Sequence, residues 1–343
     1  MKAILAILLI LIPFPLTAQD PDFLAMFMNL ENFFDYRDSG GGESDTEFSS
    51  GGERHWTRKR FRLKCSSFAK TVLWTASEQG RLPDVIAVAE IENAFVLKSI
   101  LSSTLLRKTD YRYVHYDSPD PRGIDCALFY RSSRVKLLSS RACRVEAEGL
   151  RTRDILLAQL LSAEGDSIAL MVNHLPSKYG GAEDWRREVA AGRLRFISDS
   201  LAREGWGNRL ALGDFNDGPD SPLFAVLEPS LIYCHKSGKQ RGSIRFNGQW
   251  ELIDLCFVSP ELAPRSDFEV LVPPFLMTAD AAHSGEKPLR TYSGPRWIGG
   301  LSDHLPIIVR VNKDEKPVSH NNPDFLLDLQ DIREYTSAIT NTK

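Results

Sequence analysis

Short apolar runs rich in β-branched and aromatic residues recur along the chain, and most of them stop on a carboxylate, an Asn or a His. They occupy residues 23–28, 85–89, 127–130, 155–161, 168–172, 210–212, 252–258 and 307–311. Runs this short, bounded by turn-forming or charged residues, read as strands. Helical spacing marks two longer stretches: 57–78, with Phe61, Cys65, Phe68, Val72 and Leu73, and 185–203, with Val189, Phe196 and Leu201. Strands and helices mixed without regular alternation predict packed sheets flanked by helices. Residues 39–52, rich in Gly, Ser and acidic side chains, predict a mobile loop, and residues 273–297, with scattered Pro, Gly and Ser, a long one.

The N-terminus bears on the compartment. Lys2 precedes an apolar run over 3–16 broken by Pro13 and Pro15, followed by Thr17-Ala18-Gln19. This pattern predicts a signal peptide cleaved after Ala18. The run is shorter than the roughly 20 apolar residues of a membrane span, and no lipid-attachment Cys follows it. The expectation is an exported monomer, periplasmic or extracellular, without stable membrane insertion. Its division is a signal peptide (1–18), one large domain (19–312) and a polar C-terminal tail (313–343), in which 324–335 has helical character.

Charge and cysteine content narrow the function classes. The net charge is −3, one unit more negative without Lys2. That is a poor footprint for sequence-blind duplex binding, which relies on phosphate neutralisation, although a local basic cleft could serve a nuclease. The cysteines Cys65, Cys126, Cys143, Cys234 and Cys256 are odd in number and lack zinc-site spacing. An oxidising compartment allows one disulfide, with several pairings open, but Cys126 and Cys256 read as buried hydrophobes.

Chemistry gathers where the apolar runs end. Asn29, Glu31 and Asn32 follow the first run, Glu90, Glu92 and Asn93 the second, His174 the fifth, and Asp214 and Asn216 the sixth. Asp254 lies within the seventh, and Asp303-His304 precede the last. Loops at strand ends hold functional groups accessible on a rigid frame. Hard oxygen donors such as Glu90, Asp303 and Asn29 suit Mg²⁺, with Mn²⁺ or Ca²⁺ as alternatives, and do not suit zinc. Histidines among carboxylates supply proton transfer and transition-state stabilisation. Singly, an Asp-His pair or a GDFN segment is usually just a turn.

In this order the segments resemble the signature of the endonuclease/exonuclease/phosphatase family: Asn29 in FMNLENFFD, Glu90 in VIAVAEIEN, His174 in MVNHLPS, Asp214 and Asn216 in LALGDFND, Asp254 in ELIDLCFVS and Asp303-His304 in LSDHLP. The resemblance runs from about Met26 to Val311. It implies a four-layer α/β sandwich of two packed mixed sheets flanked by helices, and metal-dependent hydrolysis of phosphoesters. It also implies roles: Glu90 as principal metal ligand beside Asn29 and Asp303, Asp214 and Asn216 orienting water and phosphate, Asp254 fixing His304, and His174 as the second imidazole.

Asp125 opens a run where the deoxyribonuclease branch carries a carboxylate paired to its first His. The expectation is that Asp125 orients His174 and that Arg122 contacts a phosphate; the alternative is an Asp capping a turn beside Gly123. Lys178, Tyr179, Arg186 and Arg187 follow the His174 loop as candidate cleft residues, whereas Glu92 and Asn93 read as structural. The basic stretch 54–64 could contact nucleic acid or form a solvated helix face. No long hydrophobic hairpin of the secreted sphingomyelinase kind is visible, nor an RxP triplet near His174 like that of inositol phosphatases. The leading expectation is a nuclease or phosphodiesterase acting on DNA or RNA. Lipid head groups, inositol phosphates or other small phosphoesters come second. A non-catalytic binding protein on the same scaffold comes third, since such a protein should have lost part of the set.

Overall fold

Strand alternation puts successive side chains on opposite sheet faces, and here both faces are covered. The structure is a computed structural model that describes residues 21–178 and 185–313. The expected signal peptide, Tyr179 and the tail beyond Lys313, with its 324–335 stretch, lie outside those residues. By internal contacts the chain divides after Asn312, and the fold belongs to the first unit.

In chain order the elements are β1 (Phe23–Phe33), α1 (Arg58–Gln79), β2 (Val85–Ile91), α2 (Ala94–Ser103), β3 (Tyr111–His115), β4 (Asp125–Arg131), β5 (Val135–Cys143), β6 (Ile155–Ser162), β7 (Ser167–His174), α3 (Trp185–Arg203) and β8 (Asn208–Asp214). They continue as β9 (Ile232–Tyr233), β10 (His235–Lys236), β11 (Ile244–Phe246), β12 (Gln249–Glu251), β13 (Asp254–Val258), β14 (Ser266–Val270), β15 (Met277–Ala279), β16 (Glu286–Pro288), β17 (Tyr292–Ser293), β18 (Arg296–Trp297) and β19 (Ile307–Val311). One mixed sheet has the order β10-β14-β19-β1-β2-β4-β3, the other β5-β6-β7-β8-β13-β9.

Strand β7 shows how four layers arise. Ile168, Leu170 and Val172 face inward and join a core shared with β1, β2, β4 and the apolar faces of α1 and α2. Ala169 and Met171 face outward and pack with Ala190, Leu194, Ile197 and Leu201 of α3. The layers are therefore α1 and α2, sheet, sheet, α3, as the family resemblance implies. Thr57 caps α1 by accepting from the Arg60 N–H, and the helix ends at Gly80 with φ 73°. Asn93 caps α2 by accepting from Phe95 and Val96, the structural role expected of it.

Two loop expectations are corrected. Residues 39–52 are tied down: the Asp45 carboxylate accepts the Ser39 and Gly41 N–H groups at 2.7 and 3.0 Å, and Ser50 N–H bonds Tyr36 O at 3.0 Å. Residues 273–297 carry two small hairpins, β15–β16 and β17–β18. Elements outside the apolar and periodic stretches include α2, β3, β5, β14 and the short strands β9 to β12. Strand β5, at a sheet edge, fully buries only its two end residues and so lacks an apolar run. All five cysteines are free and buried.

One close approach sets up the site. Strands β7 and β8 pair in parallel, and a methyl group on Gly213 would sit 2.0 Å from Asn173 O. Only glycine lets the two backbones meet there. Gly213→Ala should therefore part the strands just before His174 and Asp214 and destabilise the protein by about 2–4 kcal/mol. A lower urea midpoint with an unchanged m-value would show this, and an unchanged midpoint would refute it.

Candidate active site

Strand register delivers the first three groups. Parallel pairing of β7 with β8 sets His174 opposite Asp214, and antiparallel pairing of β8 with β13 sets Asp254 opposite Asp214. One sheet thus presents His174, Asp214 and Asp254 in a row. In the other sheet β1 and β2 run in register to Asn29 and Ala89, after which both shift register. Glu31, Asn32 and Glu90 then take φ values of 44°, 51° and 63°, and Asn216 takes 53°. Left-handed backbone at non-glycine residues costs on the order of 1–3 kcal/mol each and persists where its surroundings enforce it. Here it falls on Glu31 and Glu90 where β1 and β2 leave register, and on Asn216 just beyond β8.

The hydrogen bonds close the constellation. Asn29 Nδ2 donates to Asp214 Oδ2 at 3.0 Å, joining the sheets, while Asn29 Oδ1 accepts the Glu31 N–H at 2.9 Å. Asp214 Oδ1 accepts the Asn216 N–H at 2.9 Å. Asn216 Nδ2 donates to Leu175 O at 2.8 Å. His304 Nδ1 lies 2.8 Å from Asp254 Oδ2, and its Nε2 faces Asp214 Oδ2 at 3.8 Å. From the other side His174 Nε2 stands 3.6 Å from Asp214 Oδ2 and 3.8 Å from Glu90 Oε1. Glu90 Oε2 accepts the Asn32 N–H at 2.6 Å and lies 3.4 Å from Arg122 Nη2.

These surroundings divide the charges. Burial pushes the Asp214 carboxyl up to about 7, with Asp254 adding to the rise and His304, Asn29 and the Asn216 N–H opposing it. Burial would also raise Glu90, but Arg122, the Asn32 N–H and His304 outweigh it and hold that carboxyl below its usual range. His174 is driven well below the ordinary imidazole value by burial and by Arg153 and Arg122, and it is neutral. For His304 burial is outweighed by Asp254, Asp214 and Asp303, which hold the imidazolium well above that value. The site therefore pairs one neutral and one charged imidazole across a carboxyl poised near neutrality.

The expected Asp125–His174 pair is not formed. Asp125 Oδ2 lies 3.2 Å from His115 Nε2, and Oδ1 accepts from Ser118 N–H and Oγ–H. Register explains this: β3, the edge strand beside β4, sets His115 opposite Ala127, within reach of Asp125. His174 Nδ1 is buried without a hydrogen-bond partner. The His174 segment is held through its backbone, because the buried Arg153 guanidinium donates to His174 O at 3.3 Å and Leu175 O at 2.8 Å.

Among the substrate candidates, Arg122 reaches the site and stays accessible, beside Glu90 and bonded to Asn32 Oδ1. Lys178 lies on the rim with its ammonium 2.6 Å from Asp217 Oδ1, and Arg186 stands half-buried in the first turn of α3. The basic stretch 54–64 is neither a platform nor wholly a solvated face. Lys64 is buried and donates to Glu31 O at 2.6 Å and Thr291 Oγ1 at 2.7 Å, while Arg54 and Arg60 donate to backbone carbonyls.

Glu31, Lys64, Arg290 and Arg153 had no site role in the sequence reading. The Glu31 carboxylate accepts from Arg290 Nε at 2.9 Å and from the Thr291 N–H at 2.7 Å. Burial and then Asp303 push it up to about 7. Arg290 also reaches Asp303 Oδ2 at 2.9 Å. Burial lowers the Lys64 ammonium to about 8 against the pull of Glu31, Glu90 and Asp303. A signal for Lys64 was present, since it is a charge at an apolar-face position between Phe61 and Phe68.

Arg290 bridges the Glu31 and Asp303 carboxylates, and Glu90, Asp303 and Asn29 are hard oxygen donors of the type that suits a divalent cation of the Mg²⁺ kind. Asp214, Asp254 and His304 also offer ligand atoms within 4.8 Å of one another, a possible acidic/His metal site. Asp254 and His304 already spend an oxygen and a nitrogen on each other there.

Residues 24–313 match the Endonuclease/Exonuclease/phosphatase family model. The chain belongs to that family. Members of the endonuclease/exonuclease/phosphatase family are hydrolases of phosphoester bonds. Among curated proteins, Nocturnin from Mus musculus is 26% identical over 171 residues, which is 46% of this chain and 38% of the mouse protein. Nocturnin from Homo sapiens is 25% identical over 171 residues, with the same coverage. The chain therefore spans well under half the length of these relatives. Among solved structures, the Bacteroides thetaiotaomicron mannosyl-6-phosphatase superposes with a TM-score of 0.55 at 15% identity, over 85% of this chain and all of that one. The human Nocturnin catalytic domain with bound sulfate gives 0.52 at 18%, over 86% and 96%. D. rerio TDP2 with a single-strand DNA product gives 0.51 at 16%, over 85% and 99%. At these identities the structures establish the shared fold.

Replacing Asp254 by Asn should lower kcat about 10²–10³-fold. Losing the carboxylate lowers the His304 pKa, so the alkaline limb of the pH–rate profile, where the imidazolium gives up its proton, should move to lower pH. A drop in kcat without that shift would deny His304 its role as the proton-bearing group.

Proposed function

We propose that this protein is an exported, Mg²⁺-dependent phosphoesterase that attacks phosphorus with water. The observation that carries this reading is Asp214, a carboxyl near neutral pKa at 3.6 and 3.8 Å from two imidazoles of opposite protonation. Ionised Asp214, oriented by Asn29 and the Asn216 N–H, takes the proton of the attacking water. Protonated His304, fixed by Asp254, donates from Nε2 to a phosphoryl oxygen as charge develops. Neutral His174 and Arg122 flank the same space. A divalent ion held by Glu90, Asn29 and Asp303, with Glu31 beside them, would neutralise charge on the phosphoryl and leaving oxygens.

Of the substrate classes expected from the sequence, the surroundings favour a small phosphoester or a chain terminus over an internal bond of duplex nucleic acid. A cavity of about 230 Å³ adjoins the carboxylates, lined by Asn32, Phe48, Arg54, Arg290 and Tyr292 among others. Its size suits a single sugar or base beside the phosphate. Of the basic stretch that would have tracked a phosphate backbone, Arg54, Arg60 and Lys64 make internal contacts, while Arg58, Lys59 and Arg62 stay exposed. The larger cavity, about 640 Å³ between α1 and residues 103–107, shares no residue with the site.

Purified protein assayed with Mg²⁺, Mn²⁺, Ca²⁺ or EDTA against sugar phosphates, nucleotides, inositol phosphates, sphingomyelin, plasmid DNA and RNA tests both levels. The expected result is metal-dependent release of phosphate from small esters, lost at least about 10³-fold in Asp214→Ala and His304→Ala. Plasmid nicking as the dominant activity would return the substrate to nucleic acid. Silence on every ester with every metal would sink the enzyme reading. Arg122→Ala should raise KM more than it lowers kcat if its guanidinium binds the ground-state phosphate.

A further inference from the structure

Two arginines, Arg54 and Arg290, line the cavity beside the catalytic carboxylates. Arg290 commits Nε to Glu31 and Nη2 to Asp303. Arg54 bonds none of the catalytic groups. Its Nε meets Glu47 Oε1 at 2.6 Å, and its Nη1 donates to Gly294 O at 2.6 Å. A guanidinium carries five N–H donors in a fixed fork. Among the described residues Arg54 Nη2 and Arg290 Nη1 have no protein acceptor, so each keeps an NH₂ group to offer. The one carboxylate that lines this cavity, Glu31, is already taken by Arg290 and the Thr291 N–H.

Arg54 is held still from several sides. Its guanidinium lies over the Phe48 and Tyr292 rings, 5.5 and 5.4 Å from their centroids, and those rings meet edge to face at 6.0 Å. Its carbonyl accepts from Tyr292 Oη at 3.0 Å and Arg60 Nη1 at 2.8 Å. A tie between the loop and the 290–299 segment accounts for Nε and Nη1, and it leaves Nη2 unused. The ion pair with Glu47 is partly exposed, and pairs of that kind contribute little. A fork fixed in this way loses little freedom on meeting an anion.

We propose that the substrate carries a second phosphate group, bound in this cavity by Arg54 Nη2 and Arg290 Nη1. Guanidinium NH₂ groups match the oxygens of a phosphate in both charge and geometry. The inference rests on the phosphoesterase reading, in which the scissile phosphate lies among Asp214, His304 and the metal ligands. With about 230 Å³ the cavity takes one ring, so both phosphates are borne by a single sugar, free or within a nucleotide. The second phosphate does not react. It is bound alike in the ground and transition states, so it lowers KM more than it raises kcat.

Steady-state kinetics with Mg²⁺ test this on wild type, Arg54→Gln and Arg54→Lys. Fructose 6-phosphate is compared with fructose 1,6-bisphosphate, and adenosine 5′-monophosphate with adenosine 3′,5′-bisphosphate. In at least one pair the bisphosphate should be preferred about 10–100-fold in kcat/KM, mainly through KM. The pair that shows it tells a free sugar from a nucleotide. Arg54→Gln should bring that ratio to within about threefold of one, with Arg54→Lys, a charge without the fork, in between. Equal use of both esters in both pairs overturns the proposal, as does a preference that survives Arg54→Gln. Should Arg54→Gln fail to fold, an undiminished preference in Arg54→Lys refutes it. If no ester is turned over, the phosphoesterase reading falls by itself, and calorimetry of the two bisphosphates judges the cavity. Wild type should then bind one of them at least about tenfold more tightly than Arg54→Gln, and equal binding refutes the second-phosphate site.

Discussion

The hydrogen bond from Asn29 Nδ2 to Asp214 Oδ2 ties the polar ends of the two sheets together, beside the one between His304 and Asp254. Elsewhere the sheets meet through interlocked apolar side chains, and a close-packed interior of that kind does not slide. At the rim the packing gives way to carboxylates, which repel unless something orients them. Asn29 does so on both sides, with its amide nitrogen on Asp214 and its oxygen on the Glu31 N–H. The left-handed turns at Glu31 and Asn32 follow directly from that arrangement, and Ser302 Oγ, bonded to Asn29 O, draws in the segment carrying His304.

Within this frame chemically identical groups acquire different roles. Asp214 and Asp254 face each other across two strands, yet Asp254 is committed to His304, whereas Asp214 rests between two rings and holds its proton to near neutrality. Glu90 remains an anion because Arg122 and a backbone N–H support its charge. The two imidazoles differ for the same reason, His304 facing carboxylates and His174 facing guanidinium groups. Environment, more than residue type, assigns acid and base.

The two sheets and two of the helices were legible in the sequence because buried strands give unbroken apolar runs and α1 and α3 carry long periodic faces. Edge strand β5 and the short helix α2 left no such trace. The row His174, Asp214, Asp254 was legible as residues at run ends, but not as neighbours, since register is a long-range property. The misplaced Asp125 shows the same limit. Its chemistry suggested an imidazole partner, and it has one, but strand order decided that the partner is His115. Arg290 and Arg153 lie in stretches without periodicity, where only tertiary contact reveals a role.

The division of labour between strand ends and loops has a consequence for how such a chain can change. The groups that surround phosphorus are anchored by backbone register and by an interior shared between sheets, so they resist alteration. Beyond Glu31 and Asn32 of β1, the wall of the small cavity is drawn from segments outside both large sheets, around Phe48, Arg54 and Tyr292. The segment around Phe48 and Arg54 can be exchanged without touching the carboxylates, whereas Arg290 and Thr291, which bond Glu31, must be kept. New esters are therefore open to this scaffold by transplanting its surface segments, with the water-activating machinery inherited unchanged.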